Sequence, residues 1–324
     1  MMVIRKFNYV RFFTFIAVLL AIIIGIIVFS VSTIKKINYK KTYDYKLTQI
    51  NYSESEIKEI KDKLNDSQID KLLTMKYDEN IIEFIKEKYF IFNNLNQYLE
   101  YKSKNKKTDN TKIVSIINTE ANIDWFDEER ETNTDEKELM LVNRLYGLKE
   151  DYAPDDLVDV PSKYAYTGKK ISNSILDPII SLIEAGRESG YTFVVSDGYR
   201  SYQEQKNIYD SYASSMGMSE TDKIVARPGH SEYQTGLSFD LMPYNKVLDK
   251  PKESPEYQWL KENAYKYGFI FRFPEDKTDL TGFNAATWRL RYVGTSAAAI
   301  IHSENICYEE YYAYFVRGNK WKIK

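Results

Sequence analysis

Two short phrases hold most of the side chains in this chain that could do chemistry. Pro228-Gly229-His230-Ser231-Glu232-Tyr233-Gln234-Thr235-Gly236-Leu237-Ser238-Phe239-Asp240 brings together an imidazole, two carboxylates and a phenol, and Trp288-Arg289-Leu290-Arg291-Tyr292 adds two guanidiniums. Metal-assisted hydrolysis would need about three protein ligands, an open position for water and a carboxylate to move the proton. The supply of ligands is thin. His230 and His302 are the only histidines, and the single cysteine, Cys307, allows neither a disulfide within the chain nor a thiolate cluster. A tyrosine has too little phenolate near pH 7 to bind a metal well, and an arginine, always cationic, cannot coordinate one. Cys307 reads as core filler rather than a nucleophile, and His302 as a packing or surface residue. Arg200, in Gly198-Tyr199-Arg200-Ser201, is either a surface arginine beside a helix start or a groove residue. Ser231 is either a polar groove contact or a turn residue after Pro228-Gly229.

The elements that must position these residues are mixed. Tyr191 to Ser196 is rich in β-branched and aromatic residues and closes on Asp197-Gly198, so it is predicted to be a strand. Ser201 and Glu204 form a capping box that opens a helix to about Met216. Gly236 to Met242 alternates, with Leu237, Phe239 and Leu241 on one face and Ser238, Asp240 and Met242 on the other. Ser172 to Ser189 has helical periodicity, with Pro178 in its first turn or at a bend. A helix over Pro255 to Tyr267, strands over Phe269 to Phe273 and Trp288 to Val293, and a final helix from Thr295 to Val316 complete the pattern. Strands and helices follow no regular βαβ period, which favours α+β over a doubly wound sheet.

Upstream, Phe12 to Val31 is almost wholly apolar, long enough as a helix to cross a bilayer and longer than a usual signal-peptide core. A cleaved signal peptide remains the alternative, with Ser30 and Ser32 as a small-residue site. Lysines and arginines flank the segment on both sides, so charge does not settle its orientation. After a polar stalk from 33 to about 50, Ser53 to Tyr101 reads as a module of three or four helices, either a spacer or a wall-binding element. Residues 105–110 are a polar linker, and Ile113 to Ile117 is a short strand candidate. The expected organisation is a tail (1–11), a membrane anchor (12–31), a stalk and helical module (32–110), and a main domain (111–324) with its motifs in 139–316. The net charge of −2 and 28% charged residues offer no reason to expect a nucleic-acid partner.

Three segments, in order, resemble the VanY-type zinc D,D-carboxypeptidases of peptidase family M15B: Gly198 to Tyr202 with Gln205, Pro228 to Asp240, and Trp288 to Gly294. The family reads Ser-x-His-x-x-Gly-x-Ala-x-Asp in the second segment and Glu-Pro-Trp-His in the third. The resemblance implies a hedgehog-like fold, a small antiparallel sheet flanked by helices, facing the cell wall from a single-pass membrane anchor. It also implies that the three zinc-ligand positions fall on Tyr233, Asp240 and Arg289, and the general base on Ala286. Only Asp240 is competent. An arginine about 4 Å from a divalent ion would repel it by roughly 8 kcal/mol at an effective dielectric near 20. No bound zinc is therefore expected. Arg200 matches the family's substrate and oxyanion arginine, so Arg200 and Ser231 are the candidate ligand contacts. The expected function is a catalytically inactive relative that binds peptidoglycan stem peptides or a protein partner. An active carboxypeptidase with an atypical metal site and a purely structural tethered protein are the alternatives. Where the metal would sit, Arg289 is expected to bridge Asp240 with the Tyr233 hydroxyl close by.

Overall fold

The structure is a computed structural model that describes residues 9–123 and 129–317. The expected tail, residues 1–11, lies largely outside the described residues. The chain divides into two compact units, Met1–Ser103 and Lys104–Lys324.

The first unit is helical. Helix α1, Tyr9–Lys40, includes a stretch from Phe12 long and apolar enough to cross a membrane, with a mean hydropathy of 3.2 over its most apolar window. Five shorter helices follow: α2 (Tyr43–Gln49), α3 (Glu54–Lys63), α4 (Asp66–Leu72), α5 (Glu79–Lys86) and α6 (Leu95–Lys104). Capping boxes at Ser53/Glu56 and Asn65/Gln68 start α3 and α4. Ile57, Ile60, Ile69, Leu72, Ile81, Phe84 and Ile85 are buried. The stretch from 33 to about 50, expected as a polar stalk, is largely helical: α1 runs on to Lys40 and Thr42 caps α2.

The second unit begins with α7 (Asn110–Asn118), where a strand was the expectation for 113–117. An apolar run cannot distinguish a buried helix from a buried strand. Here Asp109 caps the helix by accepting from the Lys112 N–H, and Ile113 to Asn118 are all buried. Two small pairings follow, β1 (Arg130–Glu131) with β2 (Tyr146–Gly147), and β3 (Leu157–Asp159) with β4 (Lys170–Ser172). Then come α8 (Leu176–Glu188), β5 (Phe193–Asp197), α9 (Tyr202–Met216), α10 (Met218–Thr221), β6 (Ser238–Pro243), α11 (Pro255–Asn263), β7 (Phe269–Phe271), α12 (Thr278–Thr281), β8 (Arg289–Tyr292), α13 (Thr295–Glu304) and α14 (Tyr308–Tyr311). The main sheet is antiparallel in the order β5-β6-β8-β7.

Alternation sorts the two faces of that sheet. Phe193 and Val195 of β5, Phe239 and Leu241 of β6, Phe269 of β7 and Leu290 of β8 join Ile179, Leu182 and Ile183 of α8 in one core. The opposite face carries Ser238, Asp240, Arg289 and Arg291. The register places Asp240 across from Arg289 and Ser238 across from Arg291. The expected final helix breaks instead. Asn305 turns left-handed (φ 51°), ending α13, and α14 restarts after Cys307. Cys307 is buried, and burial raises its thiol pKa well above the ordinary value. His302 is exposed and stacks on Tyr265, with ring centroids 3.9 Å apart.

Candidate functional site

The site forms where three backbone features converge on the polar face of the sheet. Ser201 caps α9 with Glu204 in a reciprocal box, which fixes Arg200 just ahead of the helix. Gly198 lies so close to β4 that an added Cβ would clash with the Lys170 carbonyl oxygen. Glu232–Thr235 form a short 3-10 turn, and Gly236 leaves it with φ +66°, which favours glycine, to enter β6. The Thr235 hydroxyl donates to the Glu232 carbonyl at 2.6 Å and accepts from the Leu237 N–H at 3.0 Å, locking that turn.

Tyr233, at the centre of the site, is buried. Its ring lies between two guanidiniums, with Arg200 Cζ 4.1 Å and Arg289 Cζ 4.3 Å from the ring centroid. Arg289 Nε donates to Asp240 Oδ1 at 2.8 Å and Nη2 lies 3.4 Å from Oδ2, so the two cross-strand neighbours form a direct ion pair. A register shift between Val195 and Asp197 sets Asp197 opposite Asp240. Two carboxylates so placed repel each other. The cations answer this: Arg200 Nη2 bonds Asp197, Lys169 Nζ lies 3.5 Å from it, and Arg289 takes Asp240. Three cations against two carboxylates leave one net positive charge. The Tyr233 hydroxyl is buried and makes no hydrogen bond among the described residues. Burial raises its pKa well above the ordinary value near 10, so at neutral pH it is a phenol with a proton to donate.

A cavity of about 120 Å³ lies beside this stack, walled by Tyr233, Arg289, Ser231, Glu232, Ala286 and Phe273 among others. Ala286, Ser231, Tyr233 and Arg289 therefore line one cavity. Arg200 does not line this cavity; besides Asp197 it reaches Gln205 Oε1 at 3.3 Å. His230 borders the cavity, yet its Nδ1 lies 2.7 Å from the Asn143 carbonyl and its Nε2 3.2 Å from Glu129. A larger cavity, about 550 Å³, lies between β7, α11 and α13 and shares Phe273, Ala285 and Ala286 with the small one.

Sequence reasoning missed Asp197, which it took only as part of a turn, and a buried tetrad beneath the site. Arg272 clamps Glu309 with bonds of 3.0 and 2.6 Å, and its Nε lies 2.8 Å from Glu232. Arg291 Nη1 donates to the same Glu232 oxygen at 2.8 Å, and its Nη2 donates to the Glu138 and Met140 carbonyls. Burial opposes the Arg272 charge, but Glu232 and Glu309 outweigh it and raise the pKa. Arg291 stands in the third motif and Glu232 in the second; nothing in the sequence ties Arg272 or Glu309 to them, because the contacts of Arg272 with Glu232 and Glu309 depend on tertiary placement.

A VanY family model, described as D-alanyl-D-alanine carboxypeptidase, matches residues 168–295. YodJ of Bacillus subtilis (strain 168), named as a candidate carboxypeptidase, is 32% identical over 66% of this chain and 84% of its own length. The chain belongs to the VanY family. A D-alanyl-D-alanine carboxypeptidase of Enterococcus faecalis (strain ATCC 700802 / V583) is 36% identical over 55% of this chain and 67% of its own length. Among solved structures, the LD-carboxypeptidase LdcB, described for its recognition of peptidoglycan, superposes with a TM-score of 0.54 at 34% identity, covering 57% of this chain and 89% of its own. The VanY family works with zinc, and the residues present here do not fit that ion. Among the described residues, no group of three His, Cys, Asp or Glu side chains could hold a metal. Tyr233 is held neutral, Arg289 is cationic, and Arg289 already occupies the Asp240 carboxylate.

Proposed function

We propose that this VanY-family domain has kept peptide recognition and lost hydrolysis, and that it binds the D-alanyl end of peptidoglycan stem peptides as an inactive relative of the carboxypeptidases. The observation that carries the reading is the Arg289–Asp240 ion pair, which puts a permanent cation on the one competent ligand of the set. With no carboxylate at Ala286, the site also has no group at that position to take a proton from water. Recognition is supported by the fold shared with LdcB and by the relatives named for D-alanyl-D-alanine. A protein partner at the wall is the alternative ligand of the same domain. The long apolar stretch of α1 supports a single membrane anchor, with the VanY-like domain on the outer side where the wall substrate lies.

The test is to incubate the purified chain with a pentapeptide ending in D-Ala-D-Ala, following binding by calorimetry and free D-alanine by chromatography. Saturable binding without release of D-alanine is expected. Release that a chelator abolishes would make the chain an active metallopeptidase instead. Absence of binding would reduce the domain to a structural role.

A further inference from the structure

We infer that the small cavity beside Tyr233 is a carboxylate site in which Arg289 and the Tyr233 hydroxyl grip the α-carboxylate of a terminal D-alanine-sized residue. The inference deepens the peptide-binding reading above and rests on it.

Four observations carry it. Arg289 spends Nε and Nη2 on Asp240, and its Nη1 has no partner among the described residues, so half of its fork remains to be used. The Tyr233 hydroxyl is buried and unpartnered, which costs free energy unless a ligand supplies the missing bond. Both side chains line the same cavity, together with Ser231. The Tyr233 stack beside the cavity carries one net positive charge, Lys169, Arg200 and Arg289 against Asp197 and Asp240, and the Glu232 carboxylate in the cavity wall is offset by Arg272 and Arg291. An arginine fork with a phenol donor beside it suits an anion with two oxygens. At about 120 Å³ the cavity lies well below the ~300–1,000 Å³ of sites that enclose whole drug-sized ligands, so it takes an end group. Val142, Ala285, Ala286 and Phe273 give that group an apolar wall for a methyl. Arg200 is excluded as the primary grip because Asp197 and Gln205 hold it and it does not line the cavity. It packs on the Tyr233 ring instead, with Cζ 4.1 Å from the ring centroid.

The test measures binding to the full chain, in detergent or lipid nanodiscs, by calorimetry with D-Ala-D-Ala, D-Ala-D-alaninamide and free D-alanine. D-Ala-D-Ala should bind, and blocking its carboxylate as the amide should weaken binding about tenfold or more, the effect expected of a charge-assisted bond. Arg289→Gln should weaken D-Ala-D-Ala by a similar factor. Tyr233→Phe, which keeps the ring between the arginines and removes only the hydroxyl, should weaken it about three- to tenfold. Free D-alanine binding as tightly as the dipeptide would assign the cavity to the free amino acid, and dipeptide binding alone would assign it to a peptide terminus; each supports the carboxylate site. Equal affinity for acid and amide, with Tyr233→Phe unchanged, would overturn it while leaving stem-peptide binding intact. Failure of all three probes and of the pentapeptide would overturn both readings.

Discussion

Arg289 and Asp240 share a pair that is about a quarter exposed at each side chain, so its worth lies between two regimes. Exposed pairs contribute ~0.2–1 kcal/mol, while removing one partner of a fully buried pair costs about 3–5 kcal/mol. Arg289→Ala is therefore expected to cost about 2 kcal/mol in urea unfolding, chiefly by leaving Asp240 without a counter-charge opposite Asp197. Adding Asp240→Asn should recover part of the loss, because the repulsion goes with the stranded charge. An unchanged midpoint in Arg289→Ala would mean that Lys169 and Arg200 alone balance both carboxylates. The pair was legible in the sequence because Asp240 and Arg289 stand on the polar faces of two strands whose motifs converge. The hold of Asp197 on Arg200 was not, since a bulge after Val195 decides where Asp197 points.

Below the site, strands and helices are joined by charges rather than by apolar contact alone. Glu232 sits on the 3-10 turn, Arg272 just past β7, Arg291 on β8 and Glu309 on α14, and all four side chains are nearly inaccessible. The Tyr308 ring lies 5.4 Å from Arg272 Cζ and 5.2 Å from Arg291 Cζ, covering both guanidiniums. Arg272→Met should destabilise the domain by about 3–5 kcal/mol, read as a lowered urea midpoint, since it leaves Glu309 buried with no guanidinium. Arg272→Met with Glu309→Met together should cost less than Arg272→Met alone. A double variant as unstable as the sum of the singles would show that the ions act independently. The strands and helices around this network were mostly legible because alternation and caps are local signals. Helix α7 was not, because burial on every side left Ile113 to Ile117 short and almost wholly apolar, broken only by Ser115, with no period to read. The break at Asn305 escaped for the converse reason: the apolar pattern continues across it while the backbone turns left-handed.

For the whole chain, the fold and the family were readable from ordered motifs spread over the second unit, and the mismatch at Tyr233, Arg289 and Ala286 was readable only by carrying the family's motifs over position by position. What fills the vacated space, a tyrosine between two arginines beside a small cavity, needed coordinates. Membrane attachment through α1 is testable directly. The full chain should stay with the membrane fraction after an alkaline carbonate wash, and a chain lacking residues 1–40 should not; a full chain released by the wash would leave α1 without the proposed role. The reading of the active site rests on one exchange of chemistry, a fixed guanidinium in place of a metal ligand. Zinc titration of the purified chain, side by side with the variant carrying Tyr233→His, Arg289→His and Ala286→Glu, tests it most directly. Metal ligands act as a set, so the parent should take up no tightly bound zinc and the triple variant about one equivalent. One equivalent of tightly held zinc in the parent would contradict the account.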